Sequence, residues 1–346
     1  MGMTRLFDLL ALVSLLGTSA PGHAAALSLP GYADAAGAIA VQHQGGTVDP
    51  YFVLQALLLA RQHGLDTQTY DVPWARWLLA RQKPDATFDR FCRTGPAWTA
   101  CKTADADDAL LALWMRFIDT LPPAVRQEPA FVRSQAAAGA TLQRLVSPPT
   151  GVYLVSPVYM HALFMDNLEV WTHKPAHAAA QNPQRTSFGA SIQRVFWDEA
   201  QQRYHVSTQP EQKGEALRFY PDAVAQIFPL LVNFPRLPGG ARQHYRRWMA
   251  EHRGEWLSQV HGDFAWGLVA IVALDQKDLA SARCWLRVSL PYRHSSHWTV
   301  TDEVVAQVLE DRQLTPHPDA SACPQAPSKH PASVPALSPP LTTTPP

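Results

Sequence analysis

The sequence has no net charge, since 29 Lys and Arg residues balance 29 Asp and Glu residues, and charged residues make up only 17% of it. Because a nucleic-acid partner normally requires a basic face, this balance argues against nucleic-acid binding. The sequence also lacks a Gly-rich phosphate loop and a Gly-x-Ser-x-Gly motif, so a serine or cysteine nucleophile has no support. In contrast, hydrophobic residues make up 47%, enough for a sizeable core, and 11 Trp residues offer rings that can stack on sugars.

A long apolar run is also missing. The apolar stretch at residues 6–16 is too short to remain in a bilayer as a spanning helix. It follows Arg5 and precedes a run of small residues at 22–26, which is the pattern of an export signal with a cleavage site. We therefore expect residues 1–26 to be a signal peptide, the mature protein to be periplasmic or secreted, and no membrane-spanning segment to remain after cleavage.

Cysteines are few, and no Cys-x-x-Cys pair occurs among them. Export leads to an oxidising compartment, and Cys92 and Cys101 flank a short loop with a turn signal, so we predict a disulfide between them. Cys284 lies in an apolar helical pattern and is expected to be a buried free thiol, whereas Cys323 falls in the C-terminal tail.

Metal-ligand spacing is absent as well. The sequence RHSSHWTVTDE at 293–303 contains two His residues, but no third ligand stands in a recognisable spacing. We therefore predict neither a metal site nor a cofactor.

Helical periodicity dominates residues 27–313, and a short strand pair is predicted at 194–197 and 203–208. About twelve helices are predicted, near residues 33–43, 51–63, 72–82, 109–120, 123–145, 156–172, 184–195, 221–232, 239–252, 263–275, 278–288 and 302–312. Twelve helices fit six helical hairpins closed into a ring, although an irregular helical domain or an open solenoid would give the same periodicity. Residues 314–346 are rich in Pro, Ser and Thr and are predicted to be a disordered tail.

The aspartates Asp105, Asp107 and Asp108 stand directly before the predicted helix at 109–120. One of them is sufficient to cap the helix. The other two repel it and each other unless a sugar hydroxyl or a raised pKa compensates. The cluster is therefore predicted to be functional.

Two segments resemble glycoside hydrolase family 8, whose members are (α/α)6-toroid glycosidases. Asp-Ala-Asp at 105–107, ahead of an apolar helix, is similar to the family's helix start, where an aspartate binds the sugar next to the cleaved bond. In RFYPDAVAQIFPLL at 218–231, Tyr220 and Asp222 match the family's Tyr-Asp-Ala helix with a Pro inserted, and that aspartate activates the attacking water. A looser similarity covers residues 151–164, where the family has a Tyr-containing segment entering a helix.

The resemblance implies an all-α (α/α)6 toroid, and the predicted strand pair at 194–208 adds a short β-hairpin insertion to it. It also implies inverting hydrolysis by two carboxyl groups, typically about 6.5–9.5 Å apart. Asp222 would be the base. The family's acid, a Glu in a Ser-Glu-Gly motif, is replaced by TVDPYFVLQALL at 47–58. Asp49 or Glu169 would then be the acid, or the toroid would bind glycan without cleaving it. Asp49 also fits a simple helix cap.

The remaining candidates are polar or aromatic residues that can bind sugar hydroxyls or stack on sugar rings. We predict Asp107 as a further catalytic or anchoring carboxylate, and the substrate-binding residues Asp105, Asp108, Trp98, Tyr51, Tyr159, Asp166, Asn167 and Tyr220. Asp166 and Asn167 interrupt an apolar helix, so they either bind neighbouring loops or face the cleft.

The expected function is an exported glycosidase whose partner is an oligosaccharide or polysaccharide. One alternative is a non-catalytic glycan-binding toroid in exopolysaccharide assembly or export. Another is a polysaccharide lyase, against which the clustered aspartates argue because they would repel an acidic sugar.

Overall fold

A computed structural model describes residues 24–173, 183–211, 216–262 and 264–325. Most of the predicted signal peptide and the tail beyond residue 325 lie outside the described residues. The described part is mostly helical. Its helices are α1 (Pro50–Gln62), α2 (Gln68–Leu79), α3 (Asp107–Thr120), α4 (Pro123–Arg126), α5 (Pro129–Arg144), α6 (Phe164–His173), α7 (Pro183–Phe196), α8 (Val224–Leu231), α9 (Ala241–Ser258), α10 (Gly267–Asp275), α11 (Leu279–Ser289) and α12 (Val300–Asp311).

Two small antiparallel sheets accompany the helices. The first contains β1 (Thr47–Val48), β2 (Asp89–Thr94) and β3 (Ala97–Thr103) in that order, and the second contains β4 (Trp197–Asp198) and β5 (Arg203–Tyr204). The second sheet confirms the predicted strand pair in a shorter form. The first was not predicted, because β3 is exposed along nearly its whole length and shows no alternation of apolar and polar residues. A disulfide joins Cys92 on β2 to Cys101 on β3, as predicted.

The helices pack on one another in a continuous order. Helix α1 packs on α3, α3 on α6, α6 on α8, α8 on α10, α10 on α12, and α12 on α1. Helices α5, α7, α9 and α11 each pack on one member of this series, namely α3, α6, α8 and α10. The starts of the helices in the series carry most of the acidic residues singled out above, so their placement determines the site.

Two helix starts show how the sequence fixes these ends. Asp49 caps α1 by accepting a hydrogen bond from the backbone N–H of Tyr51 at 3.1 Å, and Pro50 occupies the first helical position. At α12, Thr299 and Asp302 form a reciprocal capping box. Both starts use a polar side chain to satisfy N–H groups that the helix leaves free.

Three helix predictions require correction. Residues 33–43 form turns rather than a helix, because Gly37 takes a φ of +95°, which a helix does not allow. The close approach of Gly37 to the Pro73 carbonyl oxygen, 2.5 Å from where a Cβ would lie, requires a glycine there. The predicted helix at 123–145 is divided into α4 and α5, and α5 begins at Pro129. The predicted helix at 156–172 begins only at Phe164.

The free-thiol prediction for Cys284 is wrong, because Cys284 forms a disulfide with Cys323. The apolar helical pattern around Cys284 suggested a core position, but that side of α11 receives the returning C-terminal chain. Arg253 donates to the Ala322 carbonyl oxygen at 3.1 Å, and Arg283 donates to that of Thr315 at 3.0 Å. The predicted tail is therefore bonded to α9 and α11 as far as these contacts extend.

Among the residues described, no helix combines the length and the apolar character needed to cross a membrane.

Candidate functional site

Three buried carboxyl groups lie where α3 and α6 pack together. Asp108 is in the first turn of α3, Asp166 is in the first turn of α6, and Glu169 follows one turn later. All three side chains are buried, and Asp108 interacts electrostatically with both of the others. We call Asp108, Asp166 and Glu169 the carboxyl cluster. Tyr51, on the neighbouring helix α1, contacts the cluster through a hydrogen bond to Glu169.

Glu169 has one bound and one unbound carboxyl oxygen. Its Oε1 accepts a hydrogen bond from the Tyr51 hydroxyl at 2.9 Å and a longer one from Gln55 at 3.4 Å. Its Oε2 is buried and has no hydrogen-bond partner among the described residues. Burial, followed by the charge of Asp166, raises the pKa of Glu169 to about 8. Glu169 therefore retains its proton at neutral pH.

The other two members of the cluster have similar surroundings. Asp108 accepts from the Ala109 N–H at 2.9 Å, but its Oδ2 has no partner in the described part of the chain, and neither has the Oδ2 of Asp166. Burial raises the pKa of Asp166 to about 7, and burial together with the charge of Asp166 raises the pKa of Asp108 well above its ordinary value. Because neighbouring carboxyl groups cannot all ionise at once, the cluster retains protons at neutral pH.

Asp49 and Asp105 are held by one arginine. The Nε of Arg90 forms an ion pair with Asp49 at 2.6 Å, and its terminal nitrogen forms another with Asp105. The second oxygen of Asp49 caps α1, so both of its oxygens are engaged. Burial raises the pKa of Asp49 despite the opposing charge of Arg90. This geometry matches the capping interpretation of Asp49 and gives Asp105 a partner on β2.

Asp107 has different surroundings from those of its neighbour Asp108. The charges that act on it are those of Lys83, Asp85 and Asp89, and Lys83 is itself paired with Asp89 at 2.9 Å. Burial raises the pKa of Asp107 to about 6, against the Lys83 charge. The three aspartates before α3 therefore have different nearest partners, although the charge of Asp107 acts on Asp108 and that of Asp105 acts on Asp166.

Asp222 lies in a wide helical turn, Phe219–Ala223, directly before α8. One of its oxygens accepts from Arg203 at 2.9 Å and the other from the backbone N–H of Arg218 at 3.0 Å. The same turn carries Tyr220. Both oxygens of Asp222 are thus engaged, one by Arg203 and the other by the Arg218 N–H.

Asn167 has a structural position. It is fully buried, its side-chain oxygen accepts from the Tyr153 N–H at 2.7 Å, and its amide group donates to the carbonyl oxygens of Tyr153 and Leu163 at 2.9 Å. These bonds fix both ends of the loop before α6. Tyr159 on that loop is 59% exposed, so Asn167 positions a candidate sugar-binding residue without reaching the solvent.

A series of aromatic rings leads from the surface to the carboxyl cluster. Tyr220 is 52% exposed and stacks on Trp266 with ring centroids 5.1 Å apart. The series continues through Phe264 and Phe52 to Tyr51, with centroid distances of 6.4, 6.0 and 5.8 Å. Sequence reasoning places Trp266 at a helix start in HGDFAW at 261–266 but assigns neither Phe264 nor Trp266 to the site.

Trp98 lies on strand β3 of the first sheet. Its indole N–H donates to Asp34 at 2.7 Å, and the guanidinium of Arg93 lies 4.6 Å from a ring centroid. One face of this Trp is therefore covered by Arg93. Trp98 contacts Asp34 and the β2–β3 hairpin, away from the carboxyl cluster.

Comparison of the chain with protein-family models gives no match, and comparison with curated protein sequences gives none either.

Proposed function

We propose that this protein is an exported (α/α)6-toroid glycoside hydrolase that acts on a polysaccharide. The order of helix contacts supports the toroid, since α1, α3, α6, α8, α10 and α12 contact one another in turn and the order returns to α1. Disulfides at Cys92–Cys101 and Cys284–Cys323 support an oxidising compartment such as the periplasm or the exterior.

Glu169 carries the proposal as the general acid. An acid catalyst must hold a proton near neutral pH and present it to the leaving oxygen. Glu169 has a pKa of about 8, an oxygen without a partner, and a second oxygen held by the Tyr51 hydroxyl at 2.9 Å. We prefer it to Asp49, because both oxygens of Asp49 are engaged by Arg90 and the α1 backbone.

Asp222 is the proposed base. It lies directly before α8, in an ion pair with Arg203 at 2.9 Å. The exposed Tyr220 beside it, stacked on Trp266, offers a surface for the flat face of a sugar ring. The sugar chain would then cross the aromatic series between Asp222 and Glu169.

The test is reducing-end release from β-linked glucans and bacterial exopolysaccharides by the mature protein. Glu169→Gln and Asp222→Asn should each lower the rate by about 10²–10⁴-fold, the usual contribution of a positioned acid or base. Glu251→Gln, which changes a carboxylate exposed to solvent on α9, should leave the rate unchanged. Equal release by wild type and Glu169→Gln would remove Glu169 from the mechanism.

A second candidate function is glycan binding without cleavage. It is favoured because both oxygens of Asp222 are already bound, to Arg203 and to the Arg218 N–H. It is also favoured by the absence of the Ser-Glu-Gly motif at 47–58. Saturable oligosaccharide binding with no new reducing ends after long incubation would establish it over hydrolysis.

A further inference from the structure

A cavity of about 300 Å³ lies toward the C-terminal ends of these helices, and we call it the rear cavity. It is lined mainly at the C-terminal ends of α1 and α6 and just beyond the end of α8. It adjoins the carboxyl cluster through Glu169, whereas Asp108 and Asp166 lie in the first turns of α3 and α6. More than half of its wall is aliphatic or aromatic. The residues that the argument uses are the apolar Leu58, Leu113 and Leu231 and the polar Gln62, Arg116 and Asn233. Gln62 and Asn233 are exposed, so the cavity opens to solvent beside them.

Arg116 is the cation of this cavity, and its own contacts are weak. Its guanidinium donates to the Thr172 hydroxyl at 3.3 Å and to Gln62 at 3.4 Å, which are neutral oxygens at long distances. Arg116 forms no ion pair with any carboxylate in the described ranges. Glu169 also lines the cavity, but its pKa of about 8 leaves it neutral at pH 7, so it supplies no counter-charge.

We propose that the rear cavity binds a small amphipathic carboxylate, with its carboxylate on Arg116 and its apolar chain against Leu58, Leu113 and Leu231. A guanidinium matches a carboxylate with two parallel hydrogen bonds, and such charge-assisted bonds are stronger than those Arg116 makes to Thr172 and Gln62. The volume lies at the lower end of the range for small-molecule sites, which suits an acid of about six carbons.

The partial charges of the nearby helix ends do not reverse the preference of Arg116 for an anion. The carbonyl ends of α1, α6 and α8 carry partial negative charge, which disfavours an anion, but they are fractional charges confined to the last turn. Arg116 carries a full positive charge. Inorganic phosphate would satisfy Arg116 but would leave the apolar wall in contact with water, so the mixed lining selects an acid with an apolar body.

The affinity should depend on pH through Glu169. The groups that face Glu169 are Tyr51 and Gln55 on α1, Asp108 and Arg116 on α3, and Asp166 on α6. Of these, the hydrogen bonds from Tyr51 and Gln55 and then the charge of Arg116 favour the ionised form of Glu169, and Arg116 is the one that lines the cavity as a cation. Above about pH 8 the ionised Glu169 competes with the ligand for Arg116, so the carboxylate should bind more weakly there.

The test is calorimetric titration of the mature protein at pH 7 with hexanoate, hexanamide and inorganic phosphate. We expect saturable hexanoate binding. Hexanamide and phosphate should bind at least about tenfold more weakly, because hexanamide lacks the negative charge and phosphate lacks the apolar chain. Arg116→Gln should lose at least about tenfold in hexanoate affinity, Arg116→Lys should lose less, and the exposed Arg242→Gln should lose none.

Leu231→Trp provides a second variant, because it fills the cavity without changing Arg116, and it should also abolish hexanoate binding. The proposal is overturned if hexanoate does not saturate at millimolar concentration, if hexanamide or phosphate binds as tightly, or if Arg116→Gln and Leu231→Trp both bind hexanoate like wild type. These titrations measure binding alone, so their result does not depend on whether the protein hydrolyses a glycan.

Discussion

Replacement of Glu169 by Gln should make the free energy of unfolding less dependent on pH. In the unfolded chain Glu169 releases its proton near its ordinary pKa of 4.5, whereas the folded protein keeps it until about pH 8. Within this window the unfolded state binds fewer protons than the folded state, so the free energy of unfolding falls as the pH rises. A Gln at this position cannot ionise, and its oxygen can still accept from the Tyr51 hydroxyl.

The magnitude follows from the two pKa values. Each pH unit within the window between 4.5 and about 8 removes about 1.4 kcal/mol, so wild type should lose about 3 kcal/mol between pH 5 and pH 7.5 through Glu169 alone. Asp108 and Asp166 also have raised pKa values caused by burial, but they remain in both proteins. The difference between the two pH slopes therefore isolates Glu169.

The assay is urea unfolding at pH 5, 6, 7 and 7.5, followed by circular dichroism. The two proteins should be about equally stable at pH 5, and Glu169→Gln should be more stable by about 3 kcal/mol at pH 7.5. Glu251→Gln is the control and should follow wild type. Parallel pH dependences for wild type and Glu169→Gln, within about 0.5 kcal/mol, would show that Glu169 is ionised in the folded protein at neutral pH and would refute the reasoning.

Three further predictions concern other parts of the molecule. Arg90→Gln should lower the free energy of unfolding by about 3–5 kcal/mol, because it leaves Asp49 buried without its cation, and a loss below about 1 kcal/mol in urea unfolding would contradict this. Replacing Cys284 and Cys323 together by Ala should cost up to about 4 kcal/mol, since the bridge closes a loop with a sequence separation of 39, and an unchanged midpoint in thermal unfolding would contradict this. Tyr220→Ala should weaken oligosaccharide binding by about tenfold in calorimetry through lost stacking area, and equal affinity would show that the sugar does not contact this ring.

The helix starts could be predicted because their signals are local. Asp49 followed by Pro50 fixes the first residue of α1 by itself, through a cap and a preset φ. The environments of the three aspartates before α3 could not be predicted in this way. Asp107 and Asp108 are successive residues of α3 and point about 100° apart, and Asp105 precedes the extended residue Ala106, so the three meet different neighbours. Those neighbours come from other parts of the chain: Arg90 on β2 for Asp105, Lys83 for Asp107, and Asp166 on α6 for Asp108.

The β2–β3 hairpin and the second disulfide could not be predicted for a related reason. Strand β3 is exposed on both faces, so it buries no alternating apolar residues, and its order comes from pairing and from the Cys92–Cys101 bridge. Cys284 looked like a core residue because α11 is apolar around it. Its partner Cys323 lies in a segment whose composition is typical of disorder, and composition does not register a single covalent anchor.

A comparison of two glutamates within the molecule supports the role proposed for Glu169. Glu303 and Glu169 are each only 3% exposed. Glu303 accepts from Arg293 with both oxygens, at 3.0 and 2.5 Å, and from the Trp298 indole at 3.1 Å. Despite burial, these bonds lower the pKa of Glu303, with Arg293 the largest contributor.

Glu169 has the same exposure but no ion pair among the described residues, and its Oε2 is without a partner there. A buried polar atom left without a partner costs about 1–3 kcal/mol, and Asp108 and Asp166 repeat that cost beside it. The fold gives both oxygens of Glu303 a partner, whereas the unbound oxygens of the carboxyl cluster lie at the inner end of the aromatic series. Their position supports the proposed glycan ligand, because its hydroxyl groups would complete them.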